Sequence, residues 1–152
     1  MEELDELRQA IEVGDYDQAL TILDELDAMS RDDRITKVMS YMRVLLVHLI
    51  KQAAEQRSTR SWEDSIAEAL ERIVMVNKRR KAGGDYLDED TLAEALAETY
   101  PSALRRAARE AFEGIYTVEQ LAAIVDREAL FKAALQKIQR AHAAEHTDRA
   151  LP

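Results

Sequence analysis

Between Val38 and Ile50 only Ser40, Arg43 and His48 are polar. From Val44 to Ile50 the run is apolar on nearly every side of a 3.6-residue repeat, the pattern of a helix enclosed by other helices. It is too short for a membrane, since thirteen residues broken by Arg43 fall below the roughly 20 that a bilayer requires. A polar exit, Glu55-Gln56-Arg57-Ser58-Thr59-Arg60, leads to Ser61-Trp62-Glu63-Asp64-Ser65-Ile66, which holds the one tryptophan. Ser61 followed by Asp64 reads as a helix cap, with Trp62, Ile66, Leu70 and Ile73 as the buried stripe behind it. The two stretches predict a central long helix hairpin around which the rest of the chain packs.

The other segments also read as helices. Four Gly and two Pro are few interruptions for 152 residues, and no window alternates β-branched with polar residues. Leu4, Leu7 and Ile11 mark a first helix that closes at Gly14. Asp15 caps a second, whose stripe is Tyr16, Ala19, Leu20, Leu23 and Leu26. This pair resembles half of a tetratricopeptide unit, but no second copy follows at that family's period, so it is a lone hairpin. Ser30 with Asp33 predicts the start of a third helix, the central one. Lys78-Arg79-Arg80-Lys81 closes the fourth, and Gly83-Gly84 stops it. A short fifth covers Asp88 to Ala97, and Pro101 opens a sixth that ends near Gly114. Thr117 with Gln120 forms a capping box for a seventh, which runs to about Val125. The eighth, Asp126 to about Ala144, lines up Leu130, Ala134, Leu135, Ile138 and Ala141. The expectation is an all-α, single-domain helical bundle of seven or eight helices over residues 1–146. Within it, 1–29 form an acidic N-terminal hairpin, 30–125 the core and 126–146 a C-terminal helix, with 147–152 as a disordered tail.

Charge is distributed unevenly. Residues 1–34 hold 12 acids and 3 bases, which accounts for the whole net charge of −9, and the other 118 residues hold 18 of each. An acidic balance opposes phosphate neutralisation, so nucleic acid is not an expected partner. It also disfavours an anionic membrane surface. No cysteine is present, which excludes disulfides and thiolate metal sites and suits a reducing compartment. The acidic start Met1-Glu2-Glu3-Leu4-Asp5-Glu6 is unlike a secretory signal. A cytoplasmic location is expected.

The central block resembles a bacterial family known as "domain of unknown function 29", found in cyanobacteria and proteobacteria. Its members carry a Leu-rich helix with an internal His and a following Lys, then Arg and Ser, then Ser-Trp-x-x-Ser-Ile. Here these read Leu45-Leu46-Val47-His48-Leu49-Ile50-Lys51, Arg57-Ser58 and Ser61-Trp62-Glu63-Asp64-Ser65-Ile66. Tyr100 to Arg105 and Tyr116 to Leu121 resemble later steps of the family pattern. The resemblance covers about residues 20–125. The family's Pro-x-x-Cys-Pro is missing, and a further helix follows where members usually stop. The resemblance implies an all-helical fold and brings no activity with it.

Several residues are candidates for chemistry. His48 reads as a core histidine bonded to one carbonyl, with a binding site as the alternative. Trp62 reads as a core anchor whose indole N–H reaches a loop carbonyl, or as the aromatic wall of a small pocket. Such a pocket would draw on His48, Lys51, Arg57, Arg60, Ser61 and Trp62, with an anion favoured where a helix starts. His142-Ala143-Ala144-Glu145-His146 matches the string of the inverted zinc peptidases, but only Asp148 remains to act as a further carboxylate ligand. The basic run 78–81 fits the last turn of a helix.

No phosphate loop, nucleophile elbow or Cys/His dyad appears. The sequence therefore predicts a non-enzymatic protein-interaction module with no catalytic residue, no metal and no cofactor. The alternative is a small-ligand or anion-binding protein, or an enzyme, at the His48/Arg57/Trp62 hairpin. Because the resemblance ends near Val125, the last helix is expected either to form a homodimer through Leu130, Leu135 and Ile138 or to fold back over its own bundle.

Overall fold

The computed structural model describes residues 2–79 and 84–150, with side chains through Thr147. The fold is all-α. Its elements are α1 Glu2–Glu12, α2 Tyr16–Glu55, α3 Arg60–Asn77, α4 Glu89–Glu110, a 3₁₀ turn Ala111–Gly114, α5 Val118–Ile124 and α6 Arg127–Ala150. Among the described residues the one extended pairing is an isolated antiparallel bridge between Lys78 and Asp85. Of the basic run, Arg80 and Lys81 lie outside the described residues, as does Gly83. Of the expected tail, 147–150 continue α6, and 151–152 lie outside.

Among the described residues, six α-helices replace the expected seven or eight because two boundary signals act inside helices. Ser30 and Asp33 lie within α2. No Gly or Pro stands near them, and hydroxyls in this stretch turn back on the preceding turn instead of ending it. Thr36 Oγ1 donates to the Asp32 carbonyl at 3.0 Å, and Ser40 Oγ to the Lys37 carbonyl at 2.8 Å. Pro101 likewise lies inside α4 rather than at its start. A proline costs a helix the bond its missing N–H would have given to the residue four back. Burial of Leu96, Tyr100, Ala103 and Leu104 around it outweighs that loss.

The end signals at Gly14, Asp15, Thr117 and Asp126 hold, whereas the basic run does not occupy a last helical turn, because α3 ends at Asn77 and Lys78 stands past it in extended conformation. Gly14 takes φ +78, and Asp15 Oδ1 accepts from Gln18 N at 3.2 Å. Thr117 and Gln120 form a complete capping box, and Asp126 Oδ1 accepts from Ala129 N at 3.2 Å.

The chain divides into two compact units, residues 1–36 and 37–152, with the boundary inside α2. In the first unit the buried side chains are Ala10, Ala19 and Ile22, with Leu7 and Leu26 half-buried. The predicted stripe is therefore displaced: Tyr16, Leu20 and Leu23 are exposed, as are Leu4 and Ile11.

In the second unit, Val38, Met42, Leu45, Leu46 and Ile50 of α2 are fully buried, as the density of that run requires. Ile66 and Ile73 of α3, Leu96 and Ala103 of α4, Leu121 of α5 and Ala134 and Ile138 of α6 complete the core. α6 packs on α3 and α4 of its own chain. Leu130 and Ile138, expected in one reading to face a second copy, are buried there, and Leu135 is half-buried. α6 thus folds back over its own bundle.

Candidate functional site

The turn after α2 is built by short polar side chains. Gln56 takes φ +54, and its side-chain amide donates to the Ala53 carbonyl at 2.7 Å. Thr59, extended at φ −130 and ψ 160, caps α3 by accepting from Trp62 N at 3.1 Å. This corrects the expected cap. Ser61 lies inside the helix and is exposed. A cap hydroxyl serves the N–H three residues on, and Trp62 N is that donor for Thr59. Gln52 Nε2 donates to Ser58 Oγ at 2.8 Å and to Glu63 Oε1 at 2.9 Å, and Ser58 Oγ donates to Glu63 at 2.7 Å. These bonds fasten the end of α2 to the first turn of α3.

Beside this network the Trp62 ring carries two cations. Lys51 Nζ and Arg57 Cζ each lie 4.7 Å from its centroid. The Lys51 side chain is only 8% exposed, and its ammonium donates to Glu110 Oε1 at 3.4 Å. A cation so far removed from water requires a counter-charge, and the ring face adds roughly 1–2 kcal/mol of attraction where desolvated. Arg57 binds Glu55 Oε1 at 3.1 Å. The second oxygen of Glu55 accepts from Phe112 N at 3.4 Å, and that of Glu110 forms an ion pair with Arg106 Nε at 3.5 Å. Lys51 and Arg57 are thus balanced by Glu55 and Glu110. The cluster ties α2 to α3, to the end of α4 and to the 3₁₀ turn.

Of the six expected binding residues, the structure brings together Lys51, Arg57 and Trp62. His48 is half-buried, and its Nδ1 donates to the Val44 carbonyl at 2.8 Å, the bond expected of a core histidine. Arg60 and Ser61 are exposed in the first turn of α3. Among the described residues, no hydrogen bond, ion pair or ring contact joins these three to the Trp62 group. Trp62 itself is half-buried rather than a fully enclosed anchor.

The His142–His146 string is dispersed among separate partners. His142 is buried; its Nδ1 donates to the Ile138 carbonyl at 2.9 Å, and its Nε2 accepts from Asn77 Nδ2 at 3.0 Å. Both ring nitrogens are therefore engaged. Glu145 pairs with Lys78 at 3.1 Å, and His146 Nε2 lies 3.3 Å from Asp85 Oδ2. Among the described residues no three His, Cys, Asp or Glu side chains converge as metal ligands.

The sequence reading missed Gln52, Glu110 and Asn77, and did not place Glu55 among the site residues. Glu55 could have been found from its place four residues after Lys51, on the same helix face. Asn77 sits one turn past Ile73 on the buried stripe of α3, where a polar residue signals a specific partner. Glu110 left no local signal, because it meets Lys51 from a distant helix.

Fold and cluster together define a class, an all-α protein whose central helix is held to its neighbours by mutually balanced charges. The chain belongs to the family described as Domain of unknown function DUF29, whose sequence model matches residues 4–123. The match takes in the acidic N-terminal helix as well as the His48-to-Ile66 block. It ends within α5 and leaves α6 beyond it. No curated protein and no solved structure matches the chain. Among the described residues no helix is long and apolar enough to cross a membrane.

Proposed function

We infer that the protein is a non-enzymatic interaction module whose first unit docks on another protein. One observation carries this reading. Residues 1–36 expose seven large apolar side chains, at Leu4, Ile11, Val13, Tyr16, Leu20, Leu23 and Met29. Leu4 and Ile11 are seven apart on α1, and Tyr16, Leu20 and Leu23 follow i, i+4, i+7 on α2, so each set lies on one helix face. The same unit carries the chain's whole negative excess of −9. An apolar stripe within acidic surroundings is complemented by an apolar groove rimmed with Lys and Arg. The partner is a protein of that chemistry. The internal balance of the Trp62 cluster supports the same reading, because its charges already answer one another and offer no spare acid or base. The absence of cysteine agrees with work in the cytoplasm. Self-association through α6 has little to draw on, since Leu130 and Ile138 are already covered.

The test pairs Leu20→Glu and Leu23→Glu with capture from native lysate. Both residues are exposed, so the variants should keep the wild-type melting temperature. They should lose the captured partner, and the wild-type complex should weaken as salt rises. A partner retained by both variants overturns the reading. So does a wild-type homodimer in light scattering that the variants abolish, which would give the stripe to a second copy.

A further inference from the structure

We propose that a second site, the arginine cleft formed by α2 and α4, binds a small molecule through a diphosphate group. The cleft has a volume of about 620 Å³ and is lined by Arg43, Ser102, Arg105, Arg106, Arg109 and Glu110. Positions 102, 105, 106 and 109 follow i, i+3, i+4, i+7, so one face of α4 presents all four side chains. The opposite face, with Ala103, Leu104, Ala107 and Ala108, is buried in the core. The arginines are thus mounted on a packed helix and not on a loop, and Arg43 joins them from the enclosed central helix. The volume lies in the range of small-molecule sites.

The placement is uneconomical unless an anion arrives. Residues 37–152 contain 18 acids and 18 bases, yet one cleft collects four arginines and a single glutamate. Arg105 and Arg109, four apart on one helix, repel each other. Arg106 pairs with Glu110, whose other oxygen takes Lys51. Among the described residues the side chains of Arg43, Arg105 and Arg109 have neither an ion pair nor a hydrogen bond. Guanidinium forks match phosphate oxygens in pairs, as ammonium groups do not, and the Ser102 hydroxyl can donate beside them.

The chemistry of the walls narrows the ligand. Four arginines against one glutamate leave three positive charges, which a diphosphate, with about three negative charges near neutral pH, answers better than a monophosphate. No aromatic side chain lines the cleft, so it lacks the stacking platform by which single-stranded nucleic acid is held. A duplex would also need a longer basic track than one helix face of a charge-neutral unit supplies. The site reads charge and leaves the remainder of the ligand loosely specified.

Titration calorimetry on the full chain at low salt tests this with four probes: inorganic pyrophosphate, ADP, inorganic phosphate and a single-stranded oligonucleotide. Pyrophosphate or ADP should bind at one site, at least tenfold more tightly than phosphate. ADP above pyrophosphate identifies a diphosphate ester as the source, and equal affinities identify the free anion. Arg105→Ala and Arg109→Ala should each weaken binding tenfold or more with no change in melting temperature, while Arg140→Ala, on exposed α6 surface, should leave it intact. Arg105→Lys should fall between wild type and Arg105→Ala. The proposal is overturned if millimolar pyrophosphate and ADP give no heat and no thermal shift, or if the two alanine variants bind like wild type. An oligonucleotide that binds and is not displaced by pyrophosphate also overturns it.

Discussion

Asn77 donates its side-chain amide to His142 Nε2 at 3.0 Å, and neither residue leaves a polar atom of that pair without a partner. Asn77 Oδ1 accepts from Leu87 N at 2.7 Å, and Nδ2 also donates to the Leu87 carbonyl at 3.3 Å. The two backbone groups of Leu87 set which way the amide points. The amide in turn makes Nε2 the acceptor of His142 and Nδ1 its donor. One fully buried side chain thereby fastens α3, the segment before α4, and α6. Asn77→Ala would strand Leu87 N–H and His142 Nε2 in an apolar interior, at about 1–3 kcal/mol for each unsatisfied group. We expect a total loss of roughly 2–4 kcal/mol in urea unfolding. A loss under about 1 kcal/mol would mean that water or a rearranged loop replaces the amide.

Trp62 gives a smaller expected loss than its size suggests. A fully buried aromatic costs roughly 3–5 kcal/mol on truncation, but this ring is half-buried and shares its faces with Lys51 and Arg57. Trp62→Ala should cost roughly 1–3 kcal/mol, part of it from Lys51 losing the ring that covers it. Trp62→Phe keeps a weaker π face and should recover about half. Equal losses for Ala and Phe in thermal melts would show that the cations contribute nothing.

Composition and period made the all-α class legible, because helix burial depends on side chains three and four apart on the same segment. The enclosed helix from Val38 and the capping box at Thr117 were legible for the same reason. Boundaries depended on competition. Ser30 and Pro101 carry true local signals that lost to packing of the surrounding apolar faces. The polar cluster was half-legible: Lys51, Arg57 and Trp62 lie within twelve residues, whereas Glu110 and Phe112 reach it only through tertiary folding. The cleft of Arg43 with Arg105 and Arg109 was invisible for that reason, although Arg105-Arg106 and Arg109 already shared a helical face.

Tyr100 predicts a response to alkali. Burial holds its phenol above the ordinary value of 10.0, and Arg127 nearby opposes the rise. A folded-state pKa above the unfolded one means that folding favours the protonated ring. The contribution is complete below pH about 10 and is lost as the pH climbs through the folded value. Tyr100→Phe removes it while keeping the edge-to-face contact with Phe131, whose centroid lies 5.1 Å away. Wild type should therefore lose stability faster than the variant as the pH rises above about 10 in urea titrations. Parallel curves would show that the phenolate is already solvated.

Gly114 and the two residues before it share a left-handed conformation, with φ +49 at Phe112, +58 at Glu113 and +77 at Gly114. A Cβ at Gly114 would stand 2.9 Å from the Arg109 carbonyl oxygen. Gly114→Ala should destabilise by roughly 1–3 kcal/mol, through that clash and the backbone strain together. Glu113→Gly relieves strain at an exposed position and should stabilise by about 0.5–1 kcal/mol. Melting temperatures that move together in the two variants would contradict the backbone account.

Pro101 supplies the last test, because it removes one bond from the middle of α4. Its ring also crowds the Ala97 carbonyl, and a proline in a helix interior costs about 3 kcal/mol. Alanine would restore the N–H to that carbonyl. It would also loosen the unfolded chain, which returns up to about 1 kcal/mol to the other side. Pro101 is exposed, so the exchange leaves no cavity. Pro101→Ala should therefore stabilise the protein by roughly 1–2 kcal/mol, a rise of a few degrees in Tm for a chain of this length. A lower Tm would mean that the core around Leu96, Tyr100 and Leu104 is fitted to the bend that proline makes. In that case the residue fixes the path of α4 past the arginine cleft, and pyrophosphate affinity should fall in the same variant.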